Sequence, residues 1–323
     1  MISTDLSIIL FLQSYEWAVP MMRFASFLGS LEFMLLSMPF LFWCWDAPRG
    51  FRVGLILVAS HGLNAALKVA LHGPRPYWID PSVQALSTQP SFGMPSGHAQ
   101  NAVSIWGLTA YLIHKRWAVA LAAGVCLFIG ISRAYLGAHL LGDVLVGWAA
   151  GAVFLGLFIR AMPVLEERIG RMDLKGQIAL AFLASLAIIL LYLLGRASVA
   201  GWQVPPAWEA NALRAGGEAI APFSPVDALL AAGMVLGVSS GYAILKRWGG
   251  FRVDGLSRRL VCYLLGMAGV VLIWHALREA QVHAVGWIIN YIMITLAGLW
   301  VTLGAPLIFI RLGLAEREEP ADR

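Results

Sequence analysis

Charge is scarce in this chain: 13% of its 323 residues are Asp, Glu, Lys or Arg, against 59% apolar. With a mean hydropathy of +0.75, that excludes a water-soluble globule and calls for an all-helical, polytopic membrane protein. The net charge of +5 is scattered in short clusters, without the basic stripe and interleaved aromatics of a nucleic-acid face, so no nucleic-acid partner is expected. Cysteine is rarer still. Cys44, Cys126 and Cys262 all lie in apolar stretches, and three is an odd count, which supports neither a disulfide framework nor a thiolate metal site. Asn-x-Ser/Thr sequons are absent, in keeping with a bacterial protein. The first apolar run has no basic leader and carries Asp5 and Glu16; it does not read as a signal peptide.

Long apolar runs are what the chain has in abundance. A bilayer core asks for about twenty apolar residues per helix. Nine runs qualify, near 26–45, 53–72, 98–113, 117–134, 140–161, 177–195, 226–245, 260–277 and 287–310. Residues 6–22 mix Leu, Ile and Phe with Gln13, Glu16 and Pro20 and are expected as a helix lying at the membrane interface. Sixteen of the 23 Lys and Arg residues fall on one set of alternate loops. By the positive-inside rule that side is cytoplasmic, so the N-terminus is expected outside and the C-terminus inside.

Three polar islands interrupt the apolar chain: Lys68 to Arg75-Pro76, Pro95-Ser96-Gly97-His98, and Ser132-Arg133 followed by His139 and Asp143. On the nine-span reading all three fall on the non-cytoplasmic side, where positive charge is otherwise avoided. A lysine within a span costs roughly 3 kcal/mol. Snorkelling would explain Lys68 alone, but with Arg75 about two helical turns on, a shared anion is the better account. Pro95 to His98 has the form of a loop entering a helix N-terminus, where free amides favour an anion; an ordinary cap is the plainer alternative. His139 and Asp143 sit one helical turn apart, within reach of an Nδ1–H to carboxylate bond that leaves Nε2 free.

The order Lys-x6-Arg-Pro, Pro-Ser-Gly-His, Ser-Arg-x5-His-x3-Asp resembles, at every signature position, the type 2 phosphatidic acid phosphatase superfamily. The resemblance implies a phosphatase without metal or cofactor, working through a phosphohistidine. His139 would be the nucleophile, Asp143 its orienting partner, and His98 the acid on the leaving oxygen and then the base on water. Lys68, Arg75, Ser96, the Gly97 amide and Arg133 would hold the phosphoryl oxygens. The expected substrate is a lipid phosphomonoester or pyrophosphate of the phosphatidic acid, phosphatidylglycerol phosphate or isoprenyl pyrophosphate type, and membrane lipids are the expected partners. Two alternatives stand beside it. Arg75-Pro76-Tyr77-Trp78 and the topology also look like glucose-6-phosphatase, a sugar phosphatase, and a non-catalytic lipid-phosphate binder or transporter would keep the pocket without turnover. The expected membrane is the bacterial inner membrane, with the site on its outer face.

The resemblance divides the chain into an interfacial segment (1–25), a phosphatase core (26–195), a three-helix extension (196–310) and a cytoplasmic tail (311–323). Several polar residues read as structural. His61 and Asn64 are assigned to interhelical packing over a supporting role at the site, and Glu32 is expected to pair with a neighbouring helix. His72 fits assistance at the phosphate clamp and an interfacial position at the helix end equally well, while His275, Arg278 and His283 fit headgroup contact over lining an entrance. Trp78, Trp202, Trp208 and Trp287 fit interfacial anchoring. Gly147-Trp-Ala-Ala-Gly151 has the spacing of a helix contact, and the loop 195–225 is either a cover for the site or a passive connector.

Overall fold

The structure, a computed structural model, describes residues 2–282 and 286–318, and their side chains except at residue 35 and residues 277–282. His283 lies outside the described residues, as does the Arg278 side chain. The helices are α1 (Ile2–Gln13), α2 (Val19–Phe27), α3 (Leu31–Phe40), α4 (Ala47–Leu71), α5 (Pro76–Ile79), α6 (Gly97–Ile113) and α7 (Arg116–Tyr135). They continue as α8 (Leu141–Gly170), α9 (Leu174–Ser198), α10 (Pro206–Arg214), α11 (Val226–Arg247), α12 (Leu256–Val282), α13 (Trp287–Leu299) and α14 (Ala305–Arg311). The strands among the described residues are β1 (Phe251–Arg252) and β2 (Glu316–Arg317), an antiparallel pair. The chain is thus an all-helical, polytopic membrane protein.

Seven described helices are long and apolar enough to cross a bilayer, or eight if the broken pair ending at Trp45 is one span. The expected runs outside the seven are the first and the third. The first breaks between α2 and α3, and α3 contains Pro39 and gives way to a π-turn at Leu41–Trp45. The third is α6, only 17 residues long. It begins after Pro95 and ends at His114, in the left-handed region just before Lys115 and Arg116.

The chain forms two compact units. The first comprises Met1–Met34, Leu63–Ile159 and Leu191–Pro225. It holds buried clusters around Tyr77, Trp78 and Phe92, around Tyr135 and Leu136, and around Ala102 and Ile129. Its α8 packs directly against the first turns of α6: a Cβ on Gly147 would lie 2.6 Å from the Ser96 carbonyl oxygen. The small-residue spacing is therefore an internal contact of the unit, as lipid-embedded helices need when packing rather than water drives their association. Gly147→Val is expected to force these helices apart, costing about 1–3 kcal/mol of stability, read as a lower melting temperature in detergent micelles.

The second unit comprises Leu35–Gly62, Arg160–Leu190 and Val226–Arg323. Its core is aromatic: Trp43 Nε1 donates to the Val301 carbonyl at 2.8 Å, and Tyr242 stacks on Phe51 at 4.0 Å. Arg52 makes a two-pronged pair with Glu166 at 2.6 and 2.7 Å. His61 lies 3.6 Å from Asp227, which gives it a packing partner in this unit. Glu32, in the first unit, is not paired inside. It is exposed in the first turn of α3, where the positive helix end favours a carboxylate.

Candidate active site

All eight residues of the three polar islands expected to carry chemistry belong to the first unit. Three local structures bring them forward. Lys68 comes from the last turn of α4. Ser96 is the N-cap of α6, its hydroxyl accepting from the Ala99 amide at 3.4 Å, so Gly97 and His98 open the helix with amides at its positive end. Arg133 closes α7, and the chain then turns through Gly137.

Glycine is required at that turn. Its φ is +70°, and a Cβ would lie 2.4 Å from the Gln84 carbonyl oxygen. The turn winds back on α7, with the Ala138 and His139 amides both donating to the Arg133 carbonyl at 3.1 and 3.2 Å. His139 therefore stands just before α8, and Asp143 in the first turn of that helix.

Hydrogen bonds link the islands into one network. Lys68 Nζ and Arg75 Nη2 both donate to the carbonyl of Phe92. Arg75 Nη1 donates to the Ala138 carbonyl at 2.9 Å, directly before His139. The Ser96 amide donates to the Asp143 carbonyl at 2.9 Å. Asp143 Oδ2 accepts from the Leu140 amide at 2.9 Å and lies 3.5 Å from His139 Nδ1. That last separation is an ion-pair distance, longer than a well-formed hydrogen bond.

Burial is nearly complete. His139, Asp143 and Arg133 are each 1% exposed and Arg75 is 0% exposed; Gly97 and His98 remain half-buried. A Cβ on Gly29, in the break between α2 and α3, would lie 3.3 Å from His98 Cδ2. Gly29 thus packs against one side of the His98 ring.

Arg133 donates from Nη1 to the Ser26 hydroxyl at 2.5 Å and from Nη2 to the Ser87 hydroxyl at 3.4 Å. Its Nε, like His139 Nδ1 and Asp143 Oδ1, is buried without a hydrogen-bond partner among the described residues. A buried donor left unmade costs about 1–3 kcal/mol, and an acceptor-only ligand such as a phosphoryl group would remove that cost. Burial, and then the positive fields of Arg75, Lys68, Arg133 and His98, hold the His139 imidazole well below the usual histidine range. A neutral imidazole with its Nδ1 side toward a carboxylate can attack through Nε2.

Other residues join the cluster without having been anticipated for it. Ser26 comes from the end of α2, at the start of the first expected span, and was given no role at the site. Gln89, Ser91 and Phe92 come from the irregular stretch before α6. Asp5 Oδ2, on α1, accepts from the Gly142 amide at 3.2 Å, beside the His139–Asp143 pair. Asn64 had a signal, since it lies one turn before Lys68. Its amide donates to the Pro95 carbonyl at 3.3 Å and to Gln100 Oε1 at 2.9 Å, supporting the Pro95–His98 loop from behind. Ser132 does not reach the cluster in this way; its hydroxyl bonds the Ile129 carbonyl at 2.7 Å within α7.

The sequence matches two family descriptions: "PAP2 superfamily" over residues 49–166 and "PAP2 superfamily phosphatase, transmembrane extension" over residues 229–317. Phosphatidylglycerophosphatase B of Bacillus subtilis (strain 168) is 29% identical over 160 residues, covering 44% of this chain and 73% of the relative. Lipid phosphate phosphatase delta of Arabidopsis thaliana is 26% identical over 158 residues, 43% of this chain and 37% of the relative. Sphingosine-1-phosphate phosphatase 1 of Rattus norvegicus is 28% identical over 152 residues, 45% of this chain and 35% of the relative. The chain thus spans little over a third of the length of these two eukaryotic relatives. A solved structure, the transmembrane PAP2 type phosphatidylglycerolphosphate phosphatase from Bacillus subtilis, aligns over 53% of this chain and 88% of its own, with 26% identity and a TM-score of 0.43.

Proposed function

We propose that this chain, which belongs to the PAP2 superfamily and carries that family's transmembrane extension, is a membrane phosphatase that hydrolyses a lipid phosphomonoester or pyrophosphate through a phosphohistidine on His139. The observation that carries this reading is the buried His139–Asp143 pair, 3.5 Å apart, beside an Arg133 whose Nε has no partner among the described residues.

In the first step His139 Nε2 attacks phosphorus and the bond to the leaving oxygen breaks. His98 delivers its proton to that oxygen, so an alcohol, or a phosphate from a pyrophosphate, departs neutralised. In the second step His98 takes a proton from water, the hydroxide attacks phosphorus, and the P–N bond breaks to free His139 and inorganic phosphate. Asp143 orients the imidazole and stabilises its charge while it carries the phosphoryl group. Lys68, Arg75, Arg133, the Ser96 hydroxyl and the Gly97 amide bind the phosphoryl oxygens, where charge redistributes during transfer.

Gly97 and His98, half-buried, are the more exposed part of the cluster, and the substrate class proposed for it is a phosphorylated lipid. The names of the relatives, all lipid phosphatases, support the same class. With α6 and the broken α2–α3 pair each counted as a span, the bias of Lys and Arg supports a site on the outer face of a bacterial inner membrane, with the N-terminus outside and the C-terminus in the cytoplasm. On this reading residues 26–195 form the catalytic core and 196–310 an added membrane region. The purified chain, assayed in mixed micelles, is expected to release phosphate from phosphatidic acid or phosphatidylglycerol phosphate with a higher kcat/KM than from glucose 6-phosphate. The reverse order of preference would overturn the lipid reading.

The pH profile offers a separate check. The imidazole must be unprotonated to attack, so activity persists on the alkaline side of its pKa and is lost on the acid side. Because the His139 pKa is lowered, the loss moves to lower pH. After allowance for the second ionisation of the substrate near pH ~6, the enzyme's contribution to kcat/KM is expected to hold as pH falls through the ordinary histidine value of about 6.5. An enzyme-derived acid limb at or above that value would contradict a neutral, buried His139.

A further inference from the structure

We infer that residues 199–223, which lie between the two stretches matched to the family, are a positioning strap for the cationic half of the site, acting through Phe92. The inference rests on the phosphate role proposed for Lys68 and Arg75.

Between α5 and α6 the chain runs irregularly, and such a stretch holds its shape only through its partners. On one side Phe92 offers its carbonyl, which receives both Lys68 Nζ and Arg75 Nη2. On the other side its ring is gripped by the strap, 5.6 Å from Trp202 and 5.3 Å from Phe223, both edge-on. Trp208 extends the grip to Trp78 at 5.9 Å and to Trp202 at 5.7 Å. Phe92 and Trp78 are each 0% exposed. The ring and the carbonyl belong to one residue, so a ring held on two sides restrains the Phe92 backbone, and a shift of that backbone would move the acceptor shared by the ammonium and the guanidinium.

The strap is itself tied down at three points. Asn211 Nδ2 donates to the Trp78 carbonyl at 2.9 Å, the Ala221 amide to the Pro90 carbonyl at 3.0 Å, and the Tyr192 hydroxyl to the Phe223 carbonyl at 2.6 Å. Arg196 covers the outer face of Phe223 at 4.1 Å. His72, at the end of α4, turns its ring onto Trp202 at 5.0 Å rather than toward the phosphate cluster. Trp78, Trp202 and Trp208 thus share one aromatic cluster, Trp78 buried and the other two half-buried, whereas Trp287 is 51% exposed. A passive connector would not need this many directional contacts to the segment that holds two cations.

The test uses the full chain in detergent micelles with orthovanadate, a phosphate analogue, as the equilibrium probe. Trp202→Ala is expected to weaken vanadate binding about tenfold and to raise KM more than it lowers kcat, while Trp202→Phe restores most of both. A Trp202→Ala chain that melts earlier but binds vanadate within twofold of wild type, with unchanged KM, would reduce the strap to a structural cover and overturn the inference. Should Trp202→Ala not fold, Asn211→Ala, which removes only the tie to the Trp78 carbonyl, is expected to give a smaller loss of the same kind, and unchanged affinity there overturns it equally. A wild-type chain that neither binds vanadate nor hydrolyses a phosphate ester would instead refute the phosphatase reading, and the inference with it.

Discussion

His139→Ala is expected to lower kcat by at least about ten-thousandfold, the scale on which removal of a covalent nucleophile acts, while the chain still folds and binds orthovanadate. The imidazole is 1% exposed and its Nδ1 makes no hydrogen bond among the described residues, so its removal costs packing and the 3.5 Å contact with Asp143 but no hydrogen bond at that nitrogen. A companion change separates the two half-reactions. With an aryl phosphate, whose leaving group needs no proton, His98→Ala should permit the first step and slow the second, so that phosphorylated protein accumulates and can be trapped by rapid denaturation at alkaline pH. Phosphate release by His139→Ala at the wild-type rate, or a trapped phosphoryl group on another residue, would dispose of the phosphohistidine mechanism.

What could be read from the sequence was whatever depends on short spacing. His139 and Asp143 are four apart, Ser96 precedes the helix it caps, and Lys68 lies in the last turn of its helix; each relation is local, so periodicity and capping rules reach it. The apolar runs were equally legible, since a bilayer constrains length and composition together. The first run shows the limit of that rule. Its apolar content continues across residues 26–45, but the backbone breaks between α2 and α3 and then passes into a π-turn, and hydropathy does not register a break that leaves composition unchanged.

Long-range partners were invisible for a different reason. Ser26 meets Arg133 across 107 positions, and Arg75 meets the Ala138 carbonyl across 63. Neither a lone serine nor a backbone carbonyl carries a pattern. Tryptophan is ambiguous in the same way, because an amphipathic ring suits both a headgroup layer and an aromatic cluster. The ring contacts among Trp78, Trp202 and Trp208 show the cluster, which no spacing in the sequence foretells.

Arg75 is where the structure adds most to the sequence reading, and Arg75→Lys is the second large effect to expect. Besides the phosphate role proposed for it, the guanidinium holds backbone in place. It donates from Nε to the Ser91 carbonyl at 2.6 Å, from Nη1 to the Ala138 carbonyl at 2.9 Å, and from Nη2 to Gln89 Oε1, Ser91 Oγ and the Phe92 carbonyl at 3.0–3.1 Å. One planar fork thus ties the irregular stretch before α6 to the turn that presents His139. Lysine keeps the charge but offers a single ammonium in place of a fork, so it cannot span both sides. Hydrogen bonds to charged groups contribute about 1.5–3 kcal/mol each, and the substitution loses at least two of them while leaving buried carbonyls unmatched. Arg75→Lys is therefore expected to lower kcat/KM by about a hundredfold or more and to reduce the melting temperature. The paired change Arg133→Lys isolates the charge argument, because among the described residues the Arg133 side chain donates only to the hydroxyls of Ser26 and Ser87. It should weaken vanadate binding with a smaller loss of thermal stability. If Arg75→Lys melts like wild type and loses only affinity, Arg75 acts on the phosphate alone and the clamp between the two loops has no energetic weight.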